Sequence, residues 1–179
     1  DQLAGRHGAL DGIEEVPRLA RDYGLKVTAG AWIGTDEEKN KAEIASLIRM
    51  ARAHRNVDRL IVGNESILRT DVTVDELIQQ LRKVRKAVRR PLSTAEPWHV
   101  WLAHPELVRE VDFMAVHLLP YWEGLPVDKA VDYVLQRYYG ARTRFDYLLS
   151  RNLMRHVEER LPKYRPWFEE AAIKHSIDW

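Results

Sequence analysis

Short apolar runs, each closed by polar or aromatic residues and followed by a capped amphipathic helix, recur along this 179-residue chain. That alternation constrains the fold more than any other feature. LKVTAGAWI, residues 25 to 33, is apolar with β-branched residues and predicts a strand. DRLIVGN, ending at Asn64, predicts a second, PLSTAE (91 to 96) a third, and VDFMAVHLLP (111 to 120) a fourth stopped by Pro120. Residues 11 to 23 precede them as a helix, with Asp11 available as a cap and Ile13, Val16, Leu19 and Ala20 at helical spacing. Thr35 or Asp36 caps the next helix, whose Ile44, Leu47, Ile48 and Ala51 share one face. Thr73 and Glu76 stand in capping-box spacing ahead of the stripe Leu77, Ile78, Leu81, Val84 and Val88. His99 to Arg109 and residues 127 to 138 complete the helical set. Strands separated by helices pair in parallel through right-handed crossovers, so the class is α/β. The strands are expected to be apolar on both faces, as in sheets covered by helices.

The chain is long enough for one domain with a real core. With 28 Lys and Arg against 27 Asp and Glu, its charge selects for neither nucleic acid nor an acidic membrane. The absence of cysteine excludes disulfides, thiolate nucleophiles and Cys-based zinc sites. The seven histidines form no HExxH pair and no Gly-rich phosphate loop occurs, so neither metal nor cofactor is expected. No apolar run approaches the ~18–20 residues that span a bilayer, and the opening DQLAGRHGAL lacks a basic segment followed by an apolar one, so it is not expected to act as a signal peptide. It starts without Met and stops at SIDW, which leads us to expect a piece of something longer.

Parallel β/α folds place their chemistry at the carboxyl ends of the strands. Here those ends carry Trp32, then Asn64 and Glu65, then Glu96 and Trp98, then His117, Tyr121, Trp122 and Glu123. Taken singly, each tryptophan fits core packing and Glu65 fits a helix cap or a surface ion pair. Together, aromatic platforms beside carboxylates and an amide suit a sugar, whose CH faces stack on rings while its hydroxyls take polar partners. Glycoside hydrolysis needs an acid for the leaving oxygen and a second carboxylate as base or nucleophile. Glu65 is the candidate acid, with apolar strand neighbours expected to raise its pKa.

DGIEEVPRLARDYGLKVTAGAWIG, IVGNESILRTDVTVDELI, STAEPWHVWLAHPELV and VDFMAVHLLPYWEGLPVDKAVDYV together resemble bacterial glycoside hydrolase family 17, over about residues 9 to 135. The resemblance implies a (β/α)8 TIM-type barrel and retaining β-1,3-glucanase or glucan transglycosylase chemistry, with a β-glucan as partner. It assigns Glu65 as the general acid/base and Asn64 as the asparagine near nucleophile and sugar. Trp32, Glu96, Trp98, His117, Tyr121 and Trp122 are the expected substrate-binding residues, the last three falling in the strand-end segment that lines the cleft. The family's nucleophile lies in a segment like GEVGWPS on a later strand, and no such segment occurs here. Glu96 and Glu123 occupy other motif positions: a hydrogen bond within the cleft is expected of the first, a place in a loop of the second.

Residues 136 to 179 resemble instead the linker of membrane-bound lytic murein transglycosylase F, and only this resemblance suggests an envelope or periplasmic location. Amphipathic helices are expected at about 146 to 160, with Leu149, Leu153, Val157 and Leu161 as a stripe, and at 163 to 174. The organisation expected is thus a partial barrel of about four β/α units over 1–135 and a helical tail over 136–179. Half a barrel exposes two sheet edges and its interior face, which the tail or a second copy would cover. The leading expectation is a carbohydrate-active protein with little or no hydrolysis. A non-catalytic glucan-binding fragment and a murein-processing protein are the alternatives.

Overall fold

The computed structural model describes residues 15–146. In chain order they form α1 (Val16–Asp22), β1 (Val27–Ala31), α2 (Glu37–Ala53), β2 (Val57–Asn64), α3 (Val74–Ala87), β3 (Leu92–Pro97), α4 (Trp98–Ala103), α5 (Pro105–Val108), β4 (Ala115–His117) and α6 (Val127–Asp146). The four strands make one sheet in the order β1-β2-β3-β4. Every neighbouring pair is parallel, so each connection crosses over and the carboxyl ends line one edge. The architecture is an α/β half-barrel of the TIM type, with the sheet left open.

Local chemistry sets the helix starts. Asp36 caps α2 by accepting from the N–H groups of Glu38 and Lys39, and Thr73 with Glu76 closes a capping box at α3. Glu15 precedes α1 without a side-chain cap bond, and a proline opens that helix. Asp11 and Ile13 lie outside the described residues. The expected 99–109 helix divides into α4 and α5, because Pro105 has no N–H to continue the first helix and instead suits the first turn of the second. The helix expected over 127–138 runs on to Asp146, through the seam expected between 135 and 136. Phe145 near its end is 1% exposed and joins the core cluster. The expected tail helices lie outside the described residues.

The core lies between the sheet and its helices. Ala29, Ala31, Leu60, Val62 and Leu92 from the strands meet Ile44 and Leu47 of α2, Leu77 and Leu81 of α3, and Trp101 of α4. The Trp101 indole donates to the Ala115 carbonyl at 3.2 Å, which satisfies its N–H at no exposure and ties α4 to β4.

The strands depart from the sequence in two ways. Burial on both faces holds for β3, buried at all six positions, but β1 alternates, with Ala29 and Ala31 buried while Thr28 and Gly30 are exposed. Its second face belongs to the open interior of the half-barrel. β4 has three residues rather than the expected ten of 111 to 120. Just before it, the Asp112 carboxylate accepts from the Leu92 N–H at 2.8 Å and both Arg85 bonds at 3.0 Å. The Asp112 N–H in turn donates to the Leu92 carbonyl at 2.8 Å, so backbone and side chain of one residue together tie the approach of β4 to the start of β3.

Candidate active site

Site geometry begins with Gly63 at the end of β2. Its φ is +81°, and a Cβ there would stand 2.8 Å from Ser66 Oγ and 3.1 Å from Leu77 Cδ1. Glycine is therefore required by both conformation and space. Two residues on, Glu65 itself has φ +55°, an uncommon conformation for a residue with a Cβ that costs about 1–3 kcal/mol unless its surroundings fix it. The surroundings do so. The Glu65 N–H donates to the Ala95 carbonyl at 2.8 Å, and the Glu65 carbonyl accepts from Arg69 N–H at 2.9 Å.

This turn aims the Glu65 carboxylate across β3 to β4. Oε1 of Glu65 and Nδ1 of His117 share a hydrogen bond of 2.6 Å, with both side chains about one quarter exposed. An acid and an imidazole from strands two places apart thus meet at the carboxyl edge, partly shielded yet open to solvent.

Glu96 lies close by and faces another way. Fully buried, it accepts from Ile67 N–H at 2.9 Å and, more weakly, from Leu68 N–H at 3.4 Å. Burial pushes its carboxyl above the ordinary 4.5; the two N–H groups oppose that rise, the Glu65 charge adds to it and His117 opposes it. Glu123 is an exposed loop residue, but it is engaged: its Oε1 accepts from the Trp98 indole at 3.0 Å and from the Tyr133 hydroxyl. Those two donors hold its carboxyl below the usual range.

The structure gathers Glu65, Glu96 and His117 closely, with Asn64 preceding Glu65 at the end of β2. The Asn64 carbonyl accepts from Arg69 Nη1 at 2.6 Å. Trp32, 54% exposed, carries the Arg69 guanidinium 4.3 Å over its ring. Trp98 is covered on one face by Arg137 at 4.1 Å. Tyr121 and Trp122 stand out at 86% and 81% exposure and pack edge to face. Among the described residues no group of three or more His, Asp or Glu side chains is placed to hold a metal.

Sequence reasoning missed the polar residues that fasten this edge. Asn40 brackets Gly34 by donating to its carbonyl at 2.7 Å and accepting from its N–H at 2.8 Å. Ser66 Oγ donates to the Ile33 carbonyl at 2.8 Å, and Thr94 Oγ1 to the Gly63 carbonyl at 3.1 Å. The signal available was the run Ser93-Thr94-Ala95-Glu96, three polar residues inside a strand otherwise read as core.

A half-barrel with an acid, an imidazole and aromatic platforms on its carboxyl edge has the build of a glycoside hydrolase. The chain belongs to the BtgE/BtgC glycoside hydrolase domain family, whose profile matches residues 8–146. It is similar in structure to an active-site mutant of Rhizomucor miehei β-1,3-glucanosyltransferase solved with laminaritriose. The TM-score is 0.66 at 26% identity, over 73% of this chain and 50% of that one. A glucan 1,3-β-glucosidase of Arthroderma benhamiae is 26% identical over 70% of this chain and 42% of its own length. The membrane-bound lytic murein transglycosylase F of Shewanella sp. strain ANA-3 is 34% identical over 143 residues, 79% of this chain and 26% of its own. That last match is too long to be confined to residues 136–179. The chain spans half or less of each of these three relatives.

The raised pKa of Glu96 gives a pH-dependent prediction. An acid that is weaker folded than unfolded binds more protons in the native state, so its contribution is present below about 4.5 and is lost as pH rises through the folded value. Thermal unfolding of wild type and Glu96→Gln is therefore expected to diverge in the variant's favour as pH rises above 4.5, by no more than ~1.4 kcal/mol per pH unit. A difference that stays constant from pH 4 to 8 would contradict the shift.

Proposed function

We propose that the chain is the glucan-binding, proton-donating half of a retaining β-1,3-glucan hydrolase or transglycosylase site. The observation that carries this is the Glu65–His117 pair at 2.6 Å on the carboxyl edge of the half-barrel. Glu65 is the proton donor to a leaving glycosidic oxygen, His117 orients its carboxyl, and Asn64 offers its amide to the sugar. Trp32, Trp98, Tyr121 and Trp122 supply stacking surface, with Tyr121 and Trp122 the most open of the four. The family and the laminaritriose-bound neighbour support a β-1,3-glucan as the polysaccharide recognised.

Retaining hydrolysis also needs a second carboxylate about 5–5.5 Å from the acid, on the opposite face of the bond cleaved. Glu96 is turned into the backbone of residues 67 and 68, and Glu123 is held by Trp98 and Tyr133. Neither is free to attack a sugar. The chain is therefore expected to bind without turnover. Titration with laminaritriose should change tryptophan fluorescence, Trp122→Ala should weaken binding about tenfold, and laminarin should release no reducing sugar. Sugar release that disappears in Glu65→Gln would overturn the non-hydrolytic reading, and no fluorescence change at millimolar laminaritriose would overturn the binding one.

The division into a half-barrel over 1–135 and a tail over 136–179 belongs to this proposal, with α6 as the element shared across the seam. So does self-association, which the two sheet edges left unpaired among the described residues, β1 and β4, support. Sedimentation velocity at tens of micromolar should show a dimer; a single monomeric species would contradict it.

A further inference from the structure

The fully buried Glu96 is a feature the proposed chemistry leaves without a task. A carboxyl group at no exposure is costly unless its oxygens are engaged, and these are engaged by backbone alone, at Ile67 and Leu68. Those two N–H groups belong to the turn that follows Glu65, the residue with φ +55°. The neighbouring β3 residue, Ala95, accepts the N–H of Glu65 itself. In register, Glu96 stands opposite Val116 and Pro97 opposite His117, so the same two-residue stretch of β3 also sets the height of the imidazole. One strand thus holds both members of the Glu65–His117 pair.

We propose that Glu96 is a positioning residue for Glu65, its carboxyl gripping the 67–68 backbone so that the preceding glutamate is kept in its left-handed conformation with its carboxyl on His117. A side chain of similar length without acceptors leaves two N–H groups unsatisfied in a buried place, and the turn relaxes to pair them elsewhere. Glu65 then returns toward the common φ range and its carboxyl leaves the ring. The tie from Ser66 Oγ to the Ile33 carbonyl holds the other side of the turn and does not involve Glu96. Loss of the pair is therefore specific to the grip on residues 67 and 68. This inference rests on the reading of Glu65 as proton donor for its functional meaning, though not for its geometry.

The test uses the isotope-labelled chain and no sugar. Ring nitrogen shifts of His117 report whether Nδ1 is hydrogen-bonded, and amide exchange of Ile67 reports the grip, with the Leu81 amide as reference for global opening. Wild type should show a bonded Nδ1 and a slowed Ile67 amide. Glu96→Gln, whose single amide oxygen can still accept from the Ile67 N–H, the shorter of the two bonds, should keep both. Glu96→Leu should speed Ile67 exchange at least tenfold relative to Leu81 and lose the Nδ1 signature. Retention of that signature in folded Glu96→Leu would overturn the proposal. If that variant fails to fold, unprotected exchange at Ile67 in wild type, or loss of the Nδ1 signature in Glu96→Gln, would do so. Failure to bind laminaritriose would sink the glucan reading while leaving these outcomes unchanged, so the two can fail separately.

Discussion

Parallel pairing of β2 with β3 and of β3 with β4 is the constraint on which the rest of the site depends. Because all four strands run the same way, each returns to one edge, and residues far apart in sequence arrive side by side. Glu65 and His117 are 52 positions apart and share a hydrogen bond. That edge is also where a parallel sheet runs out of ladder partners, so its backbone must be satisfied by side chains. Asn40 and Ser66 do this just after β1, and Thr94 and Glu96, both from β3, do it for the end of β2 and the turn that follows. The polar residues buried there, with the backbone bonds of Glu65 to Ala95 and Arg69, hold Glu65 in its left-handed conformation.

Much of the fold was legible in the chain because the signals were local. Asp36 and the Thr73/Glu76 box mark helix starts through hydrogen bonds to residues two or three away, and the stripes Ile44–Leu47 and Leu77–Leu81 mark the faces that became core. Strand-end position was enough to nominate Glu65, Trp98 and His117. What the sequence did not disclose depends on distant partners. Glu96 reads as a cleft carboxylate until its oxygens are seen to face residues 67 and 68. Asp112 reads as a strand residue, yet its carboxylate as well as its backbone N–H bonds Leu92 just before the short β4. The bond between Glu65 and His117 needs two crossovers to exist, and no spacing in the sequence signals it.

Membership of the BtgE/BtgC glycoside hydrolase family accounts for the edge chemistry, and the half-barrel accounts for what is absent from it among the described residues. On the proposal above, Glu65 with its bond to His117 and the exposed rings form the side of the site that donates the proton and stacks the sugar. Cleavage with retention also requires a second carboxylate about 5–5.5 Å from the acid. The similarity to the murein transglycosylase F of Shewanella sp. strain ANA-3 extends over 79% of this chain, and so beyond the tail.

In the function proposed, a β-1,3-glucan sits on the carboxyl edge between the Glu65–His117 pair and the exposed Tyr121–Trp122 corner. Mapping amide shift changes on adding laminaritriose addresses it directly. The account predicts that the perturbed residues cluster at Trp32, Asn64, Glu65 and residues 117 to 123. Perturbations confined to the outer faces of α2 and α3, or none at saturating sugar, would contradict it.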